Sequence, residues 1–134
     1  MLEEHIRTSC REEFINIDRL LDDCLKKLDL QNGLLFAHVP HTTVGLTINE
    51  NGDPDVARDL LKRLAVLAND PDYLHFEGNS DAHLKSSLFG CQLLIPVVDG
   101  KLRLGRWQSA WFCEFDGPRD RELLISGIDG VKHV

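Results

Sequence analysis

Three clusters of side chains in this sequence are able to do chemistry. The first is His41-Thr42-Thr43, set in "HVPHTTVGLTINENGDPD", residues 38–55. Pro40 fixes its own φ and pushes Val39 into an extended conformation, so the chain turns as it leaves an apolar run. An imidazole at such a strand end can face a cleft, with two hydroxyls beside it. The competing account is a turn in which the threonines bond their own backbone. Glu50 closes the same stretch, and its carboxylate is available as a base, as an outer partner of a metal, or as a solvated turn residue.

The second cluster is "HFEGNSDAHLKSS", residues 75–87, where His75 and His83 flank Asn79 and precede Lys85 and Ser86. Neutral imidazoles of His41, His75 and His83 would suit one zinc-like divalent ion, zinc or magnesium, with a position left open for water or substrate. Their spacing matches no short zinc signature, and taken singly His75 and His83 read as ordinary surface or hydrogen-bonded histidines; it is the grouping of three in polar, turn-rich company that points to a site. In the third cluster, "EFDGPRDR", residues 114–121, Arg119 and Arg121 are two apart. In an extended segment they point to one side and form a fork for phosphate. Glu114, Asp116 and Asp120 are the alternative, as carboxylates that neutralise them in surface pairs. His5, His38 and His133 are assigned no role.

Composition limits what such clusters would act on. The 134 residues suit one domain, 1–134, and 43% hydrophobic with 28% charged residues is a globular mixture. With 15 basic and 22 acidic residues the net charge is −7, which argues against nucleic acid and leaves anion binding to local basic groups. No apolar stretch reaches the roughly 18 residues that a membrane span needs, and no secretory signal is visible. Cys10, Cys24, Cys91 and Cys113 are scattered without a C-x-x-C pair, as expected of reduced thiols in a cytoplasmic protein.

The elements that must position the clusters follow from periodicity. Ile6, Thr8 and Cys10 alternate with polar residues, which predicts a strand over 6–14. Ile17, Leu20, Leu21, Cys24, Leu25 and Leu28 have helical spacing, with Asn16 at the start and Asn32-Gly33 at the end. "GLLFAHV" and "VGLTI" read as strands. Asp53-Pro54 opens a second helix with an apolar face of Val56, Leu60, Leu61, Leu64 and Leu67. A short helix, "SDAHLKSSLFG", ends at Gly90. Asp99-Gly100 predicts a hairpin, and "SAWFCEFD" and "RELLISGI" are further strands joined by Gly117-Pro118. Strands linked by turns, with two longer helices and one short one between them, predict an α+β domain with a mostly antiparallel or mixed sheet. Trp107, Trp111 and Phe112 read as core or subunit contacts.

With these motifs in place, the chain resembles the YjbQ family, also called the secondary thiamine-phosphate synthase family. "PHTTVGLTINEN", "HFEGNSDAHLKSSLFG", "VVDGKLRLGRWQ" and "EFDGPRDREL" carry the resemblance, in family order, from Pro40 to Leu123. His41, Thr42, Thr43, Glu50, His75, Asn79, His83, Lys85, Ser86, Gln108, Glu114, Arg119 and Arg121 occupy motif positions. Arg106 departs from the small residue usual before the Trp, and would alter substrate preference if it bordered the pocket.

The resemblance implies a homotrimer and a weak activity that joins a hydroxymethylpyrimidine pyrophosphate to a thiazole phosphate with loss of pyrophosphate. Such a reaction needs cations on the leaving group. Arg119, Arg121, Lys85 and a divalent ion would supply them. Thr42, Thr43, Asn79 and Ser86 would bind the phosphorylated substrate, and His41 or Glu50 would handle a proton. Two other readings stay open: a metal-dependent hydrolase using zinc-bound water, and a non-catalytic module that binds a small anionic metabolite or a metal.

Overall fold

Alternation along one strand sets the layering. In the seven residues Gln108–Glu114, Ala110 and Phe112 enter one buried cluster while Trp111 and Cys113 face another. A strand buried on both faces lies between two layers. The computed structural model describes residues 1–132, so His133 lies outside the described residues. It shows an α+β domain with three helices and eight strands: β1 (Leu2–Arg7), β2 (Glu13–Asn16), α1 (Asp18–Lys27), β3 (Gly33–His38), β4 (Val44–Glu50), α2 (Pro54–Ala68), α3 (Ser80–Phe89), β5 (Gln92–Val98), β6 (Lys101–Leu102), β7 (Gln108–Glu114) and β8 (Asp120–Asp129).

The larger sheet has the order β1-β8-β3-β5-β6 and the smaller one β2-β7-β4, with antiparallel pairing throughout. Leu35, Ile95, Leu123 and Ile125 of the larger sheet meet Leu46 and Phe112 of the smaller one, together with Leu21, Cys24 and Leu25 of α1. Each large side chain so buried contributes about 1.5–3 kcal/mol. On the outer side of the smaller sheet, Cys113 and Phe115 pack against Leu64 of α2 and Ala82 of α3.

Local signals explain most of the elements. The Asp53 carboxylate accepts from the Asp55 N–H at 2.9 Å with Pro54 in the first turn of α2, as its sequence predicts. Asp99 and Gly100 both have positive φ, the geometry of a tight hairpin between β5 and β6. α3, expected to be the one short helix, is ten residues long, the same length as α1, and only α2 is longer at fifteen.

Two expectations need correction. Residues 6–14 do not form one strand: β1 ends at Arg7 in the larger sheet and β2 starts at Glu13 in the smaller one. Beyond Arg7 the Thr8 N–H still bonds the Arg119 carbonyl at 2.9 Å, but the Thr8 hydroxyl donates to Glu114 at 2.9 Å and the Ser9 hydroxyl to Glu13, so side-chain bonds share in holding the turn between the two strands. The apolar face of α2 is only partly used. Leu64 is buried, but Leu67 is exposed, because helical spacing marks a face without saying whether the same chain covers it.

Candidate functional site

Gly45 brings α3 close to β4. A Cβ at this position would sit 2.5 Å from the Phe89 Cβ, so only glycine allows the approach. The contact is fixed by the Ser86 hydroxyl, which donates to the Val44 carbonyl at 2.6 Å, and by the Leu46 N–H, which donates to the Gly90 carbonyl at 3.0 Å. Gly90 closes α3 at φ 82°, and its N–H bonds the Ser86 carbonyl. Between the end of α3 and the chain entering β4 lies a hollow of about 530 Å³. It is lined by His41 and Thr42 from the chain entering β4 and by His83, Ser86 and Ser87 of α3, together with Gly90 and Cys91 just after that helix. The hollow thus unites the first two sequence clusters.

The geometry of His41 is specific. Its Nε2 accepts the Glu122 N–H at 2.8 Å, so the neutral ring carries its proton on Nδ1. Burial and then the Arg121 guanidinium hold its pKa below the ordinary histidine value, against the opposing charges of Glu122 and Glu114 and the backbone contact at Glu122. Opposite, His83 meets His75 edge to face with ring centroids 5.2 Å apart.

A divalent ion held by all three rings fits this arrangement poorly. The Nε2 of His41 is already engaged, and among the described residues no three histidine, cysteine or acidic side chains stand where they could hold an ion. His75 and His83 supply a pair at most.

The expected guanidinium fork is divided between two carboxylates. Arg121 is buried, with Nε donating to Oε2 of Glu114 at 2.8 Å, Nη2 to Oε1 at 2.5 Å, and Nη2 also to the Thr43 hydroxyl at 2.9 Å. Arg119 precedes β8, is 55% exposed, and donates to the Asp116 carbonyl at 2.8 Å and carboxylate at 3.2 Å. Asn79 Nδ2 donates to that carboxylate at 2.9 Å. Lys85 is buried between Glu12 and Asp81, at 2.9 and 3.2 Å. Burial raises the pKa of Glu114, but Arg121, the Asp116 N–H and the Thr8 hydroxyl outweigh that and hold it below the ordinary value. Thr43, Lys85 and Arg121 therefore brace the wall from behind rather than line it.

Glu50 lies at the other end of β4, opposite Gln108. It is six positions along the strand from Val44, about 20 Å at the usual rise. Arg106 stacks over Trp107 at 5.0 Å, and Trp107 packs near Gly52. Neither Glu50 nor Arg106 lines the hollow. Ser87, Gly90 and Cys91 also line the hollow, and none of them is among the site residues expected from the sequence. Ser87 repeats the hydroxyl of Ser86, a legible signal, whereas Cys91 reaches the hollow only because the Val39 N–H bonds its carbonyl at 2.9 Å. A separate hollow of about 370 Å³, lined by residues that include Glu4, Arg19 and Lys27, contains none of the expected site residues.

The chain matches the YjbQ-like UPF0047 protein family over residues 3–130. It belongs to that family. UPF0047 protein MJ1081 of Methanocaldococcus jannaschii is 44% identical over 124 residues, which cover 92% of this chain and 90% of the relative. UPF0047 protein YugU of Bacillus subtilis is 44% identical over 122 residues, with 90% and 92% covered. The crystal structure of a YjbQ/UPF0047 family protein from Clostridium acetobutylicum superposes with a TM-score of 0.93 at 44% identity, covering 96% of this chain and all of the other. A UPF0047-like fold persists at lower identity: a hypothetical protein from Aeropyrum pernix gives 0.90 at 30%, with 96% and 97% covered.

Proposed function

We propose that the hollow between α3 and the start of β4 binds the phosphoryl group of a small molecule. One observation carries this reading: two imidazoles and three hydroxyl-bearing residues converge on a hollow of about 530 Å³, a size typical of small-ligand sites. The reaction proposed for it is the one that the motif resemblance implies, union of a hydroxymethylpyrimidine pyrophosphate with a thiazole phosphate and release of pyrophosphate, as a side activity. Thr42 and the two imidazoles face the bound phosphate, Ser87 stands beside them with its hydroxyl donating to the His83 carbonyl at 2.9 Å, and Arg119 is the exposed cation nearest in sequence to the bracing pair. A divalent cation, zinc or magnesium, enters as the counter-ion of the substrate's pyrophosphate.

The test incubates the chain with both substrates and magnesium and follows thiamine phosphate and pyrophosphate together. Equal release of both products, with His83→Ala at least roughly tenfold slower, is expected from the loss of one charge-assisted contact. Absence of product, together with absence of saturable binding of either substrate, overturns the proposal.

A homotrimer is proposed on the same resemblance. Leu74 and Phe76, 99% and 100% exposed in one chain, are side chains that neighbouring copies would cover. Sedimentation velocity at micromolar protein gives a trimer if this is correct and a monomer if it is not. A cytoplasmic location accords with four free thiols, and no helix among the described residues is long and apolar enough to cross a membrane.

A further inference from the structure

A histidine that lines a hollow can serve a ligand in three ways: as a metal ligand, as a base, or as a hydrogen-bond donor. The first two need a bare ring nitrogen turned toward the ligand. At His41 the bare nitrogen is spoken for, because Nε2 accepts the Glu122 N–H at 2.8 Å. That N–H belongs to β8, in the residue after Arg121. Arg121 is itself locked by two bonds to Glu114 on β7 and one to Thr43 at the entry to β4. The donor that holds the ring is therefore fixed by a buried pair joining the two sheets, and the ring cannot turn without giving up its bond. Rotation would also hand the exposed Glu122 N–H over to solvent.

We infer that His41 is a locked, neutral imidazole whose Nδ1–H is a hydrogen-bond donor to an oxyanion in the hollow, and that it is neither a metal ligand nor a base. This inference rests on the phosphoryl-binding reading given above for the identity of the acceptor, but the tautomer follows from the Glu122 bond alone. An Nε2 that accepts a hydrogen bond carries no proton, so the ring is neutral in this geometry; burial and then the Arg121 guanidinium work in the same direction, against Glu122 and Glu114. A neutral donor suits a phosphate oxygen, because it bonds the anion without first losing a proton. Glu114 and Arg121 are then positioning residues, which act on the ligand only through β8 and the His41 ring.

Two measurements test this. In the full chain labelled with ¹⁵N-histidine, the wild-type His41 ring should show a protonated Nδ1 and a bare Nε2 at neutral pH, and added Zn²⁺ should leave both signals in place. A ring protonated on Nε2, or one that shifts on both nitrogens with Zn²⁺, overturns the inference.

The second measurement is the affinity for inorganic pyrophosphate in two variants. The amide nitrogen of Asn reaches the position of Nδ1, and that of Gln the position of Nε2. His41→Asn, which keeps a donor at the Nδ1 position but loses the bond to Glu122, should retain clearly more affinity than His41→Gln, which should bind roughly tenfold more weakly than wild type, the scale of one charge-assisted hydrogen bond. The reverse order, or equal affinity in both variants, overturns the donor assignment. The two failures are separable: a wild-type chain that binds no pyrophosphate overturns the phosphoryl-ligand reading, while the ring spectrum still decides the tautomer.

Discussion

Arg121 lies against Glu114 with its Nε donating to Oε2 at 2.8 Å and its Nη2 to Oε1 at 2.5 Å, so the last strand of the larger sheet is tied to the central strand of the smaller one. Both residues are buried. The pair also reaches Thr43 and Thr8, which places it behind the hollow and between the segments that build its His41 wall.

Removing one member of this pair leaves a buried charge without its counterpart. Glu114→Ala should destabilise the fold by about 3–5 kcal/mol, as read from urea unfolding. A Glu114→Leu/Arg121→Met double variant should lie closer to wild type, since it removes both charges at once. A cost below about 1 kcal/mol for the single variant would show that the pair contributes as little as a surface contact.

The same carboxylate predicts a pH dependence. Its folded pKa lies below the ordinary value of 4.5, because Arg121 and two further donors outweigh burial. Below that ordinary value the unfolded chain binds the proton more readily than the folded one, so stability rises with pH across the interval. The contribution is therefore present above about pH 4.5 and lost as pH falls through the folded value. Urea midpoints taken downward from pH 7 should show this loss, and Glu114→Gln should flatten it. An unchanged slope in that variant would assign the acid sensitivity to other groups.

Gly45 sets the width of the hollow. Gly45→Ala forces a Cβ to 2.5 Å from that of Phe89 and must push α3 outward or bend β4. A loss of about 1–3 kcal/mol in unfolding free energy is expected for such overpacking. The Ser86–Val44 bond should weaken with it, so pyrophosphate affinity should fall along with stability. A variant with wild-type stability and affinity would show that the close approach has no role in shaping the site.

Arg119 and His83 separate two locations for the anion. Arg119 pairs with Asp116 and does not line the hollow, whereas His83 does. In calorimetric titrations, His83→Ala should weaken pyrophosphate binding more than Arg119→Ala. The opposite order would move the anion to the Asn79–Asp116 side of α3.

Local chemistry was legible where one residue decides the outcome. The Asp53-Pro54 cap, the Asp99-Gly100 hairpin and the Gly90 terminus follow from the φ values and hydrogen bonds that those residues favour. Convergence of His41 with His83 was foreseeable only as a grouping of polar turns, because the contact depends on Gly45 admitting α3 and no spacing rule encodes that. The arginine fork failed for a related reason. Positions 119 and 121 share a side only within a continuous strand, and β8 begins at Asp120. The sequence also offered Glu114 as a surface partner for these arginines, and its burial came from its place on the central strand of the smaller sheet. Glu50 looked close to His41 because both fall in one motif, but an extended strand carries its two ends far apart.

The central claim, that the hollow between α3 and β4 receives a phosphoryl group, is tested most directly by mapping amide shifts as pyrophosphate is titrated into the ¹⁵N-labelled chain. The account predicts saturable shifts at Thr42, His83, Ser87, Gly90 and Cys91. Shifts gathered instead around Glu4, Arg19 and Lys27, or no saturable shift anywhere, would contradict it.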